Sequence, residues 1–389
     1  MENLKSPLGD LGAKPLGDLG AKPDLHIVSF GVPFPANYGG AIDVWNRVRA
    51  LHQQGLRIML HCFVYGSFKP HDAIREVVEE VHYYPRIAWP AILSPGQPYI
   101  VASRRNPLLL ARLKKDYAPV LFEGIHTTGY VDELKDRKLL LRAHNIEHQY
   151  YAGLARESQR FAYLFFQREA LALERYENNK ARSFNAVFAI SKEDKAWYDA
   201  KGSNCIFSPV FHGFEAMDVP SGRGQYLLYQ GDLSVEINQK SLLEVLKNIP
   251  PEDNYPIVVA GRSGDQGFEQ KLMKYPNIQR EIDVTSDRMA ELIRDAQVII
   301  IHSRHPAGMK VKIFPALYQG RFIAANENSL THTYLDKALH IYPLVQNLGS
   351  LLKKLWPLEF SSSHQAERAS ILSQLPSDQE KAKEIIKYL

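Results

Sequence analysis

Short apolar runs alternate with helix-patterned stretches from residue 24 onward, and that alternation admits few folds. In the first half the runs predict strands at His26–Phe30, Arg57–Phe63, Glu80–Tyr84, Pro119–Phe122, Leu139–Ala143 and Ala186–Ile190. In the second half they predict strands at Tyr226–Gln230, Pro256–Ala260, Ile278–Glu281, Gln297–Ile301 and Phe322–Ala325. Strands separated by helices pair in parallel through βαβ units. Leu139-Leu140-Leu141 and Val298-Ile299-Ile300-Ile301 lack any polar alternation, the pattern of strands covered on both faces. A chain of 389 residues exceeds one ordinary core. The expected architecture is therefore α/β, with two doubly wound parallel sheets facing across a cleft. A Pro/Gly/Ser-rich hinge is expected within 211–225, a long helix over 150–181, and helix from 361 to the end.

The charge balance narrows the function classes. Forty-seven basic residues against 43 acidic leave a net charge of +4, too even for a nucleic-acid binder. Cys62 and Cys205 are the only cysteines, so no disulfide framework is expected and a reducing cytoplasm fits. No apolar run reaches bilayer length and no secretory pattern opens the sequence. Residues 7–14 are repeated identically at 15–22, and residues 1–23 read as a disordered tail outside the fold.

Loops at strand ends carry the chemistry. The first strand runs into a Gly/Pro loop closing with Gly39-Gly40 at the start of an amphipathic helix. Unpaired N–H groups there suit an anion or a sugar, the alternative being a tight βα turn. A second loop, Ser303 to Lys312, places Gly308 and Met309 at a helix start with Lys310 and Lys312 close behind. Donors and ammonium groups so arranged suit a diphosphate; an exposed basic helix is the other reading. Arg262, in Gly261-Arg262-Ser263-Gly264, can fork onto a phosphate. The glycines there fall short of the dinucleotide fingerprint.

Arg142-Ala143-His144-Asn145-Ile146-Glu147-His148 ends another strand. His144 is a candidate to hold a sugar hydroxyl, and Glu147 a candidate acid/base or hydrogen-bonding group; polar residues capping the next helix are the alternative. The same stretch matches His-x-x-Glu-His, so a zinc hydrolase built on His144, Glu147 and His148 stands as a rival reading. Glu123-Gly124-Ile125-His126 gives a weaker signal of the same kind. Residues 104–115 mix basic and apolar side chains, either for peripheral contact with the inner membrane or as an ordinary solvated helix.

Four segments together resemble the retaining, family-four type of GT-B glycosyltransferase, from about residue 24 to the end. They are Pro35-Ala36-Asn37-Tyr38-Gly39-Gly40-Ala41, Arg142 to Glu147, Tyr229-Gln230-Gly231-Asp232-Leu233, and Gly308-Met309-Lys310-Val311-Lys312, the last followed by Ala316-Leu317-Tyr318-Gln319-Gly320. The resemblance implies two Rossmann-like domains. These would be an acceptor-side domain at 24–215 and a nucleotide-sugar domain at 225–365, with 366–389 packing back on the first. It implies a hexosyltransferase moving sugar from a nucleotide-diphosphate donor to a glycan or lipid-linked acceptor, of bacterial surface-polysaccharide type. No metal and no cofactor beyond the donor are implied. By the match, Gly40 approaches the donor, His144 touches the transferred sugar, Lys312 lies at the diphosphate and Val284 at the base. Two usual glutamates are replaced by Ala307 and Pro315, and the usual Gly-Arg-Leu reads Gly231-Asp232-Leu233. Those departures raise a non-catalytic GT-B-like binding subunit as the alternative; a sugar-nucleotide epimerase is a further one. Pro315 also predicts a helix that kinks or starts late.

Overall fold

The computed structural model describes residues 22–36, 38–66, 68–87, 96–304, 310–330, 335 and 338–389. The repeat, apart from Lys22, lies outside them, as do Asn37, Ala307, Gly308 and Met309. The chain divides into two units, residues 1–213 with 376–389 and residues 214–375.

The first unit is built on a seven-stranded sheet: β1 Leu25–Ser29, β2 Ile58–Val64, β3 Glu80–Pro85, β4 Val120–Glu123, β5 Leu139–Ala143, β6 Ala186–Ala189 and β7 Cys205–Phe207. Their order is β3-β2-β1-β4-β5-β6-β7, with every pairing parallel. Successive residues feed opposite cores. Leu139 and Leu141 pack on one face with Phe122 and Val187, while Leu140 packs on the other with Leu121 and Phe188. This double burial is why β5 carries no polar alternation.

The second unit holds six strands: β8 Tyr226–Gln230, β9 Ile257–Gly261, β10 Ile278–Ile282, β11 Ala296–Ile301, β12 Phe322–Asn326 and β13 His340–Tyr342. They lie in the order β10-β9-β8-β11-β12-β13, again all parallel. In both sheets the chain order reverses at one pair, β1/β4 and β8/β11. Loops leaving the carboxyl ends of such strands diverge there and open a ligand crevice.

The segment expected as one helix over 150–181 is two, Glu147–Glu157 and Arg160–Lys180, separated by extended Ser158 and Gln159. The C-terminal stretch also divides, into Ser362–Leu372 and Asp378–Ile386, with Pro376 between them. Only the last helix joins the first unit. Its Asp378 accepts from the N–H groups of His212 and Gly213, Lys381 donates to the Val210 carbonyl, and Ala382 and Ile385 enter the core beside Val44. Residues 366–375, expected to return with it, stay with the second unit. No helix among the described residues is long and apolar enough to cross a membrane.

Candidate functional site

In the first unit, the switch point carries a buried lattice of opposite charges. Asp43 lies on the helix Gly39–Gln53, among side chains that face the core. Its carboxylate accepts two hydrogen bonds from Arg142, both at 2.9 Å, one from Arg47 at 2.8 Å and one from the Phe211 N–H at 2.8 Å. Arg47 also forks onto Glu123 at the end of β4, with Nε 2.9 Å from Oε1 and Nη2 on Oε2. Burial alone would raise the pKa of both carboxyls. The guanidinium groups of Arg142 and Arg47 hold Asp43 well below its usual range, and Arg47 with His144 holds Glu123 below its own.

His144, just past β5, is set against this lattice. Its Nε2 lies 3.0 Å from Glu123 and its Nδ1 3.6 Å from Asp43, with the ring edge-on to Phe30. The second distance is too long for a hydrogen bond, so both ring nitrogens face buried carboxylates but only Nε2 is bonded to one. Asp43, Glu123 and His144 form the one candidate metal grouping among the described residues. Arg47 and Arg142 already neutralise its two carboxylates, so the donor set does not suit a divalent cation.

The zinc reading of His144, Glu147 and His148 does not survive the geometry. His148 Nδ1 pairs with Glu177 at 2.6 Å, while His144 faces Glu123, and the three side chains share no point. His144 precedes the helix that carries the other two, so the one-turn spacing the motif needs is never formed.

Glu147 opens the helix Glu147–Glu157 and is buried. Glu177, also buried, caps that helix by accepting from the N–H groups of Glu147 and His148 at 2.9 and 3.0 Å. Burial, reinforced by the Glu177 charge, pushes the Glu147 carboxyl up to about 8. Glu147 therefore holds a proton at neutral pH, with His126 Nε2 3.9 Å from its Oε2. A carboxylic acid so tuned can donate as well as accept.

Gly39 and Gly40 form the first helical residues after N-cap Tyr38, whose side chain makes no capping bond. A Cβ on Gly40 would lie 2.9 Å from the Phe30 ring. Residues 104–115, read as peripheral membrane contact or a solvated helix, hold the helix Pro107–Leu113 and its flanks. Arg104 is buried, Arg105 pairs with Glu133, and Leu109 and Leu113 enter the core. Pro107, Leu108, Ala111, Lys114 and Lys115 are what remains exposed.

In the second unit, the ends of β8, β9 and β11 meet. Gly261 comes so close to the next loop that a Cβ there would lie 1.9 Å from the Gly231 carbonyl oxygen, and its φ of +138° also requires glycine. Lys312 Nζ donates to the Gln230 carbonyl at 3.2 Å and stands over the Tyr229 ring. Lys312 caps the helix Ile313–Gln319, which starts late enough to leave Pro315 in its first turn, where a missing N–H breaks no bond. Burial brings Lys310 and Lys312 down to about 8, Lys310 adding to the effect on Lys312. Arg262 is half-exposed and 3.8 Å from Asp232. Val284 lies two residues beyond β10, after Asp283 in the left-handed region. The second unit thus holds Arg262, Lys310 and Lys312 on loops at adjoining strand ends, and the first unit holds Gly39, Gly40, His144 and Glu147.

Sequence reasoning missed Asp43, Arg47 and Glu177. The available signal was an Asp–Arg pair four residues apart inside the apolar stripe Ile42 to Val48. A charged pair on a core-facing stripe needs buried partners, which only the folded sheet supplies.

The fold is that of the GT-B glycosyltransferases. HepE from Anabaena, solved with UDP and glucose, matches 94% of this chain and 99% of its own at 13% identity, with a TM-score of 0.64. WaaG, a glycosyltransferase of lipopolysaccharide biosynthesis, matches over 93% and 98% at 15% identity, TM-score 0.62. Sucrose-phosphate synthase from Thermosynechococcus elongatus matches over 94% and 98% at 12% identity, TM-score 0.68. In sequence, the chain is 27% identical over 323 residues to an uncharacterized 44.6 kDa protein in the cps region of Klebsiella pneumoniae, covering 77% of this chain and 81% of that one. No family model matches.

Proposed function

We propose that this protein is a hexosyltransferase moving a sugar from a nucleotide-diphosphate donor to a glycan or lipid-linked acceptor in bacterial surface-polysaccharide synthesis. The observation that carries the reading is the pair Lys310 and Lys312 at the β8/β11 switch point, both driven by burial toward the neutral amine. Two ammonium groups held there gain a counter-charge when a diphosphate arrives. They then stabilise the charge that grows on it as the glycosidic bond breaks. Arg262 and the N–H groups around Gly308 and Met309 assist the diphosphate, and Val284 reads the base through its backbone. In the first unit Gly39 and Gly40 leave the helix start open to the donor, His144 orients the sugar, and Glu147, protonated, serves as hydrogen-bond donor or acid. The reaction retains configuration and uses no metal, with the leaving phosphate taking the acceptor proton. A protein of similar fold solved with UDP and glucose, another of lipopolysaccharide biosynthesis, and a relative in a cps region support the substrate class.

The test is incubation with labelled nucleotide sugars and bacterial glycan extracts, with and without a chelator, reading the anomeric configuration by NMR. Transfer with retention in chelator is the expected result. No transfer, no donor hydrolysis and no nucleotide binding across the panel would refute it. Nucleotide binding without turnover would favour a binding subunit, the reading that Ala307 and Pro315 raise.

A further inference from the structure

We propose that Arg86 and Arg104 form a receptor for an oxyanion, a carboxylate or phosphate, carried by the acceptor saccharide. Most buried arginines in this unit are matched by carboxylates: Arg47 by Asp43 and Glu123, Arg142 by Asp43. Arg104 is not. It is 5% exposed, and its three hydrogen bonds go to neutral oxygens, the Phe30 carbonyl at 3.1 Å, the Ile100 carbonyl at 2.8 Å and the Tyr65 hydroxyl at 3.0 Å. Arg86 follows β3, and its guanidinium lies 4.8 Å from the centre of the same Tyr65 ring and 5.0 Å from that of Tyr99. Its Nε donates to Ser103 Oγ at 3.0 Å, which ties it to the residue before Arg104. Among the described residues neither arginine has a carboxylate within ion-pair distance.

The two nearby acids make no ion pair with either arginine. Glu169 accepts from the N–H groups of Tyr99 and Ile100 and reaches Arg86 only through its longer-range charge, and burial with the Glu177 charge pushes Glu147 toward the neutral acid. Two cations flank one tyrosine ring, and the buried one has no carboxylate at ion-pair distance among the described residues. Such an arrangement costs folding free energy that an arriving anion restores. Structural anchoring explains the three bonds of Arg104. It does not explain a second arginine beside it, whose Nη groups have no partner among the described residues. A guanidinium offers five N–H donors in a planar fork, the shape that takes a carboxylate or phosphate edge. Phe30, Tyr65 and Arg86 directly follow β1, β2 and β3, the edge of the sheet where ligands of such folds bind. That the anion belongs to an acceptor rests on the transferase reading; that an anion binds here does not.

Saturation-transfer NMR on the full chain, with glucuronate, glucose 1-phosphate and glucose as probes, tests this. Glucuronate or glucose 1-phosphate should bind where glucose at equal concentration does not. Which of the two binds identifies the carboxylate or the phosphate as the anion's source. Arg86→Gln should weaken that binding about ten-fold or more, and Arg86→Lys less, since it keeps the charge and loses the fork. Arg86→Gln should leave nucleoside diphosphate binding unchanged, which separates this site from a phosphate site in the second unit. Neither anion outbinding glucose, or Arg86→Gln binding like the parent, would overturn the proposal. Anion binding intact in a protein that fails every donor assay would keep the site and remove the acceptor.

Discussion

Asp43→Asn removes one charge from the buried lattice and changes little in shape. The native carboxylate receives two bonds from Arg142, one from Arg47 and one from the Phe211 N–H. The amide can accept at one oxygen only, and it turns an NH2 toward a guanidinium. Arg47 retains Glu123, whereas Arg142, fully buried, keeps one bond to the amide oxygen and the carbonyls of Ser208 and Pro209 but loses its counter-charge. Stripping the partner from a buried charge costs about 3–5 kcal/mol. For a unit of this size each kcal/mol lowers the melting temperature by roughly 2–4 °C, so the first unit should melt about 6–20 °C lower. The sign of the acid response follows from the lowered pKa of Asp43 and Glu123. Their stabilisation is fully present above the unfolded values near pH 4 and lost as pH falls through the folded values. Asp43→Asn should therefore flatten the acid limb of stability against pH. Calorimetry on Asp43→Asn, Arg142→Met and the double variant completes the cycle, the double costing less than the sum by about 1 kcal/mol or more. A fall under about 3 °C, or strict additivity, would refute the claim that the lattice holds β5, the helix Gly39–Gln53 and the Phe211 segment together.

Three further outcomes follow. Lys310 and Lys312, at about 8, are charged below that pH, so nucleoside diphosphate affinity should fall as pH rises through 8. Over the window from about 8 to 10.4 the unfolded lysines bind more protons than the folded ones, so ligand-free stability from these groups should rise. Isothermal calorimetry and thermal melts across that range read the two opposite slopes. Glu177→Gln should move the Glu147 titration below about 8, short of an ordinary carboxyl because burial remains. NMR of carboxyl-labelled glutamate, assigned with Glu147→Gln, measures it, and an unmoved midpoint would contradict the coupling. Gly261→Ala should destabilise the second unit by more than about 2 kcal/mol, because the added carbon meets the Gly231 carbonyl and alanine disfavours φ +138°. A neutral denaturation midpoint would show that the two loops can part.

The sheets were legible because their strands are apolar on both faces. Leu139–Ala143 and Tyr226–Gln230 match their observed limits, and the other nine readings fall within about two residues at each end. β7 and β13 were missed; each has three residues at a sheet edge, too short for any period to show. The break at Ser158 carries neither proline nor glycine, and Glu177, capping the preceding helix from inside the next one, accompanies it. No local pattern encodes that contact. The same holds for the first unit's charges. Asp43, Glu123 and Arg142 are 80 and 19 residues apart in sequence and meet only when β4, β5 and the helix Gly39–Gln53 are assembled.

The most direct measurement is titration calorimetry of UDP, GDP and dTDP into the intact protein and into Lys312→Gln. One of these nucleoside diphosphates should bind the parent chain, with a loss of about ten-fold or more in the variant and no change in its melting profile beyond a few degrees. No binding of any of the three to the parent, or equal affinity for both proteins, would contradict a diphosphate site built on Lys312.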